Sequence, residues 1–250
     1  MFDLVLAGFL QGILEWLPIS SEGVITLVLN FSGYSFQDGM DISLFLHLGT
    51  LMATLCFFYK EIISSINLKN KKLLFFIILS GLITSLIGFP FYLMLQGLSF
   101  NSRTGQILIG LALLITGFLQ LKRRNTGERE MDDVKNKDGV LTGFFQGFSV
   151  FPGISRSGIT TLVLSLRGFN IQNALRLSFL SGIIPIFAAQ LLTGIKGGFF
   201  FKKEYLIAAF VSFVVGRITI GYLLKIAEKI NFGTFCLVFG LFNIFLGFLF

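Results

Sequence analysis

Two short polar segments interrupt otherwise apolar stretches of this chain. The first reads Gln11-Gly-Ile-Leu-Glu15-Trp-Leu-Pro18-Ile-Ser20-Ser21-Glu22. Gln11 and Glu15 are four residues apart and share one face of a helix, which Pro18 is expected to end just before the hydroxyls. A carboxylate and two serines would then face one cavity, an arrangement that suits nucleophilic or base catalysis. The alternative is structural, with serines that only cap a helix, but an ionisable residue within a membrane segment indicates a functional site by default.

The second polar segment lies past the middle of the chain and reads Pro152-Gly153-Ile-Ser155-Arg156-Ser157-Gly158-Ile-Thr160. Pro and Gly favour a turn there, and Ser155 can cap the helix that follows. The free amides at the start of that helix, together with Arg156, form a site suited to an anion such as phosphate. The alternative is that Arg156 forms only a structural ion pair with Glu15.

The two polar segments are copies of each other. With an offset of 135 positions, residues 6–29 align without a gap to 141–164 and share 12 of 24 residues. The matches at Gln, Gly and Ser carry the most weight, since apolar matches arise easily by chance. Internal repeats with interrupted helices at matching positions are typical of a substrate site near the middle of the membrane.

Composition indicates which elements position these segments. Hydrophobic residues make up 54% and charged residues 13% of the 250 residues, against about half and a quarter in soluble domains. Six apolar runs are long enough to cross about 30 Å of hydrocarbon: roughly 42–58, 73–95, 106–121, 177–193, 205–223 and 232–250. The stretches 2–30 and 140–168 are each broken near the middle, which favours re-entrant helical hairpins. We therefore predict an all-α, multi-pass protein of the cell membrane with six transmembrane helices and two hairpins.

The charged residues predict how the spans are oriented. The net charge of +7 could suggest nucleic acid, but the basic residues lie between apolar runs, so we predict no nucleic-acid binding. If residues 59–72 face the cytoplasm, the cytoplasmic segments hold 14 basic residues and the exterior segments hold 4, as the positive-inside rule requires. The hairpins then enter from opposite sides. This predicts a single membrane domain, 1–250, built as an inverted repeat of about 1–121 and 139–250 joined by a cytoplasmic linker, 122–138.

At these two segments the chain resembles the undecaprenyl-diphosphatase family, the bacitracin-resistance phosphatases. Gln11-x-x-x-Glu15 followed by Leu-Pro-Ile-Ser-Ser is similar to the first signature of that family, and Pro152-Gly-Ile-Ser-Arg-Ser-Gly-Ile-Thr160 is similar to the second. The resemblance extends over essentially the whole chain. It implies hydrolysis of a C55-type polyprenyl diphosphate to the monophosphate, which recycles the lipid carrier for cell-envelope glycan synthesis. It also implies a divalent cation such as Mg²⁺ or Ca²⁺.

The resemblance implies a catalytic set of Glu15, Ser21 and Arg156. Ser21, beside the carboxylate, is the best-placed nucleophile, whereas Ser20 matches Ser155 in the repeat and is the better helix cap. Glu15 is either a metal ligand or a base, and the residues leave that choice open. Phosphate contacts are predicted from Gln11, Ser20, Ser155, Ser157 and Thr160. A homodimer is compatible with the sequence.

The chain departs from the family at one position, because Val24 stands where the family usually has a histidine. Either that histidine is dispensable, or His47 or Glu22 substitutes for it, or this chain has lost full activity. A lone histidine in a span is more often a packing residue than a catalyst. The main alternative function is a carrier that moves a polyprenyl phosphate between leaflets without hydrolysis, because inverted repeats with broken helices are above all a transporter architecture.

Overall fold

A computed structural model describes residues 1–96, 100–121, 127–196, 198–226 and 231–249. These residues form twelve α-helices and three short 3₁₀ turns, with no β-strand among them. The helices are α1 Phe2–Leu14, α2 Ser21–Phe31, α3 Phe36–Phe57, α4 Tyr59–Ile66, α5 Lys71–Gln96, α6 Ser102–Leu121, α7 Asn136–Gln146, α8 Arg156–Leu166, α9 Ile171–Ser181, α10 Ile183–Lys196, α11 Lys203–Ile226 and α12 Phe232–Gly247. The predicted all-α class is confirmed.

Both broken apolar stretches fold as pairs of short helices, α1–α2 and α7–α8, joined by turns. α1 ends at Leu14, earlier than the position of Pro18 suggests, because the chain tightens there: the Leu17 N–H donates to the Leu14 carbonyl at 3.1 Å. Ser20 and Ser155 are the N-caps of α2 and α8, and their hydroxyls accept from the backbone N–H three residues later at 3.3 and 3.1 Å. The predicted capping role of both serines is confirmed.

Five segments in the described ranges are long and apolar enough to cross a membrane: Phe36–Phe57, Lys71–Leu95, Ser102–Leu121, Ile171–Ile195 and Lys203–Ile226. They correspond to five of the six predicted spans. The sixth, α12, is an apolar helix of only 16 residues, which packs along α6. Large apolar side chains such as Leu86, Ile218 and Val238 are more than half exposed, as expected for a surface that faces lipid. The chain is a multi-pass membrane protein.

The first hairpin packs against a helix of the second half of the chain, and the second hairpin packs against a helix of the first half. α1 lies along α11, while α7 lies along α5. Glycines permit both approaches: a Cβ on Gly8 would lie 2.2 Å from the Ala208 carbonyl oxygen, and one on Gly143 would lie 2.6 Å from that of Ser80. Each hairpin is therefore held by a long helix of the other half. The repeat boundaries themselves stay a prediction.

A buried carboxylate anchors the second hairpin. The Asp138 side chain, at the start of α7, accepts from Arg129 Nη2 at 2.6 Å and from Arg167 Nε at 2.8 Å. Burial acts to raise the pKa of Asp138, but the hydrogen bonds from these arginines and from the Lys135 N–H hold that pKa below its usual value. Arg129 also lies over the Phe169 ring, 4.0 Å from its centroid. The end of the linker is thus fixed to the connection between α8 and α9, whereas residues 122–126 of the predicted linker lie outside the described residues.

Candidate active site

Glu15 lies at the centre of a polar cluster where the two hairpin turns meet. Its side chain is buried, although it belongs to a segment surrounded by apolar helices. One carboxylate oxygen, Oε1, accepts a hydrogen bond from Nη2 of Arg156, 141 positions away in the chain. Glu15 and Arg156, two members of the catalytic set that the resemblance implies, are therefore in direct contact. The contact follows from the repeat, since the turns that carry them occupy matching positions.

The second carboxylate oxygen of Glu15 accepts from three other side chains. Ser21 Oγ and Gln11 Nε2 each donate to Oε2 at 3.1 Å, and His47 Nε2 lies 3.1 Å from the same atom. The Gln11 contact confirms that the spacing of four places both residues on one helix face. With every donor directed at it, the side chain is arranged as an ionised carboxylate.

His47 approaches Glu15 from α3. Its Nδ1 lies 2.9 Å from the Ser43 carbonyl oxygen, which can only accept, and its Nε2 faces the carboxylate. The ring makes both hydrogen bonds only when both nitrogens carry a proton, which makes it an imidazolium. Glu15 is thus bracketed by two cations, Arg156 and His47. No partner for His47 can be predicted from the sequence, because the contact joins α1 to a helix more than thirty positions away.

The Arg156 guanidinium is positioned by the junction of α9 and α10. Nη1 donates to the Ser178 carbonyl at 3.0 Å, while Nη2 reaches Glu15. Gly182 lies directly beside it, since a Cβ at this position would be 2.7 Å from Nη1. Neither Ser178 nor Gly182 is predicted from the sequence to contact the site. The signal in the sequence was Gly182 itself, a small residue in the interior of an apolar run. No group that packs against it is predicted from the sequence.

Two of the predicted phosphate ligands fasten the hairpin turns to each other. Ser155 Oγ donates to the Ile19 carbonyl and Ser157 Oγ donates to the Leu17 carbonyl, both at 3.0 Å. These bonds satisfy backbone acceptors in a turn that has no helical partners. Ser155 and Ser157 therefore set the distance between the two turns.

A cavity of about 160 Å³ lies where the turns meet. Its walls come from both hairpins and from α3, α5 and α10. The polar and charged lining residues are Glu15, Ser20, Ser21, Glu22, His47, Thr84, Tyr92, Gln146, Ser149, Ser155, Arg156, Ser157, Gln190 and Thr193. Its apolar wall includes Met40, Leu44, Pro185, Ile186 and Ala189. Both an anion and an adjoining hydrocarbon segment find matching surfaces there.

Gln11 and Thr160, both predicted phosphate ligands, contact the cavity residues from behind. Gln11 bonds Glu15 and reaches Thr50 at 3.5 Å, and Thr160 Oγ1 donates to the Arg156 carbonyl at 2.8 Å. Neither residue belongs to the cavity wall. Helix periodicity predicts which residues share a helix face, but not which of them reach the cavity.

The cavity can be compared with what a divalent cation requires. Within the described residues, no three His, Cys, Asp or Glu side chains are grouped closely enough to hold a metal ion on their own. Two carboxylates, Glu15 and Glu22, do line the same cavity. Mg²⁺ is usually held by one or two carboxylates together with substrate phosphates and water, so this donor set fits the ion.

Comparison with known proteins places the chain in a family. Residues 4–248 match a protein family described as "Bacitracin resistance protein BacA". The chain belongs to this family. A relative named undecaprenyl-diphosphatase from Methanopyrus kandleri is 38% identical, over 96% of this chain and 93% of its own length. Relatives with the same name from Methanococcoides burtonii and Desulforapulum autotrophicum are 33% and 32% identical, and the latter alignment covers 99% of both chains.

Family membership agrees with the geometry, because both hairpin turns and all cavity walls lie within the matched region. The cluster contains a hydroxyl, a carboxylate that accepts its hydrogen bond, and a guanidinium bound to that same carboxylate. These are the parts needed for phosphoryl transfer to a serine.

Proposed function

We propose that this protein is a membrane-embedded phosphatase that hydrolyses a polyprenyl diphosphate of the undecaprenyl type to the monophosphate and inorganic phosphate. The observation that carries the proposal is the hydrogen bond from Ser21 to Glu15, whose other oxygen binds Arg156. The names of the relatives support the same substrate. The apolar cavity wall on α3 and α10 suits the first part of the prenyl chain.

The proposed reaction starts with attack by Ser21 Oγ on the terminal phosphorus. The new O–P bond forms as the bond to the polyprenyl monophosphate breaks, and Glu15 takes the proton of the hydroxyl. Water then attacks the phosphoserine, inorganic phosphate leaves, and the proton returns to Ser21. Charge on the transferring phosphoryl group is stabilised by Arg156, because a fixed guanidinium costs no reorganisation during the reaction.

His47 completes this arrangement as a positioning residue. Its hydrogen bond to the Ser43 carbonyl fixes the ring, and the ring in turn fixes Glu15 Oε2, the oxygen that accepts from Ser21. This contact supports the view that His47 takes the place of the histidine replaced by Val24. The divalent cation, when bound, would supply further positive charge to the diphosphate, and Glu15 and Glu22 are the residues able to hold it.

Phosphate release from a C55 diphosphate by the purified protein tests the proposal, with and without a chelator. We expect Ser21→Ala to lower turnover by at least ~10²-fold, as for a lost catalytic group. Ser20→Ala is the matched control, because its hydroxyl caps α2 and its loss costs mainly stability, about 1 kcal/mol. If Ser21→Ala keeps near-normal phosphate release, direct attack by water becomes the better account. A carrier would still need Arg156 but would not need the Ser21 hydroxyl.

The proposal includes association of two copies in the membrane. Outward-facing phenylalanines such as Phe210 and Phe242 offer an apolar surface that lipid or a second copy can cover. The mass of the protein in lipid nanodiscs distinguishes one copy from two.

A further inference from the structure

Glu22 is a cavity carboxylate that takes no part in the proton and phosphoryl transfers of the proposed reaction. It follows Ser21 in the first turn of α2 and lines the cavity between the hairpins. In the part of the chain that the structure describes, it has no hydrogen-bond or ion-pair partner. Burying an unpaired carboxylate at membrane depth costs free energy. A ligand that binds Glu22 would remove this cost.

The residue at the matching position of the second hairpin has a different role. Position 22 corresponds to Ser157 in the second hairpin, whose hydroxyl is used up in binding the Leu17 carbonyl. Glu22 makes no such bond across the turns. The residue therefore does not hold the hairpins together, and its carboxylate is directed to the cavity.

Glu15 is poorly suited to be the main ligand of a cation. Its Oε1 accepts from Arg156, and its Oε2 accepts from Ser21 and Gln11 and faces His47. A metal ion at either oxygen would have to displace these donors, two of which are cationic. Glu22 is the carboxylate of the cavity whose oxygens are uncommitted.

The charges of the cavity also favour an additional cation when a diphosphate binds. Its charged lining residues are Glu15, Glu22, Arg156 and His47, which cancel when the imidazole is protonated. A diphosphate brings at least about two further negative charges at neutral pH. Without a counterion these charges would lie beside an unpaired carboxylate, which is strongly unfavourable away from water.

From these observations we infer that Glu22 is the protein ligand for a divalent cation that enters the cavity together with the diphosphate. The inference rests on the proposed function, because the substrate phosphates supply the remaining ligands. Ligands supplied by the substrate explain why no three protein ligands are grouped together among the described residues. The cation site is complete only when the substrate is bound.

Binding of Mn²⁺ tests this directly. The purified protein in detergent is titrated with Mn²⁺, and the free ion is measured by electron paramagnetic resonance, with and without farnesyl methylenediphosphonate, whose bridging carbon prevents hydrolysis. We expect the wild type to bind Mn²⁺ at least ~10-fold more tightly with the analogue. We expect Glu22→Gln to lose at least ~10-fold of that affinity, the lower end of what even an indirect partner of a metal contributes. Glu204→Gln, an exposed carboxylate at the start of α11, is the matched control and should bind as the wild type does.

Phosphate release by the same wild-type sample separates the two ways of failing. If the wild type releases no phosphate from a polyprenyl diphosphate, the proposed function fails, and the inference fails with it. If the wild type is active but Glu22→Gln binds Mn²⁺ with the analogue as tightly, only the inference is overturned. Equal Mn²⁺ affinity of the wild type with and without the analogue also overturns it.

A measurement on the wild type covers the case in which Glu22→Gln does not fold. Fe²⁺ replaces the cation in the presence of the analogue, and ascorbate with peroxide then cleaves the backbone beside the metal. Mass spectrometry should find cuts between Ser20 and Gly23. Cuts confined to the junction of α9 and α10 would place the ion beside Arg156 and overturn the inference.

Discussion

Gly182→Ala is expected to damage catalysis far more than folding. Gly182 separates α9 from α10, and the new Cβ would lie 2.7 Å from Arg156 Nη1 and 3.0 Å from its Cζ. Carbon and nitrogen atoms in contact normally stay about 3.5 Å apart. The guanidinium must therefore move by something under about 1 Å, away from the positions set by Glu15 and the Ser178 carbonyl.

The size of the effect follows from what that displacement changes. A misplacement of about 1 Å in a catalytic arrangement can cost on the order of 10²-fold in rate, which corresponds to about 2.7 kcal/mol of transition-state stabilisation. The free energy of unfolding should change by less than about 1 kcal/mol, because the other close neighbour, Ile186 Cδ1 at 3.2 Å, is the end of a side chain that can rotate. We therefore expect kcat/KM to fall by roughly 30- to 100-fold.

The assay is phosphate release from a polyprenyl diphosphate, with thermal unfolding measured on the same samples. Gly221→Ala is the matched control, since its Cβ would meet only the Phe57 ring, 3.2 Å away at the nearest atom. Its kcat/KM should stay near that of the wild type. If Gly182→Ala keeps kcat/KM within threefold of the wild type, the exact position of the Arg156 guanidinium is not required for turnover.

Three further predictions concern the site, the anchor of the second hairpin and the orientation. Glu15→Gln and Arg156→Lys should each lower turnover by at least ~10²-fold, with binding of the diphosphonate analogue measured in parallel. Asp138→Asn should reduce thermal stability by roughly 2–3 kcal/mol, since it removes the partner of two arginines. Because the fold lowers the Asp138 pKa, its contribution is present at neutral pH and is lost as pH falls through that lowered pKa, so the gap between wild type and variant should close in acid. In intact cells, an impermeant thiol reagent should label Ser35→Cys and leave Asn125→Cys unlabelled.

Features that depend on local spacing or on the repeat could be predicted from the sequence. Gln11 and Glu15 share a helix face, Ser20 and Ser155 cap their helices, and the register of the repeat brings Arg156 to Glu15. Each of these follows from helix periodicity, from the preference of hydroxyls for N-caps, or from symmetry.

Apart from the pair of Glu15 and Arg156, features that depend on contacts between different helices could not be predicted. The bond from Ser157 to the Leu17 carbonyl uses an acceptor on the backbone, which carries no sequence signal. His47 and Gly182 reach the site through the packing of α3 and of the α9–α10 junction, and one sequence does not fix how helices pack. The length of α12 was also overestimated, because an apolar run continues past the end of the helix it contains.

The separation of Glu15 from Arg156 by 141 positions has a consequence for biosynthesis. A ribosome adds about 5–20 residues per second, so Glu15 is synthesised roughly 7–28 seconds before its guanidinium partner. α1 is too short to cross a bilayer alone, and the helix along which it lies, α11, is made later still. α1 is therefore among the last helices to reach its final packing although it is made early, and Glu15 lacks its guanidinium partner until the second half of the chain is made.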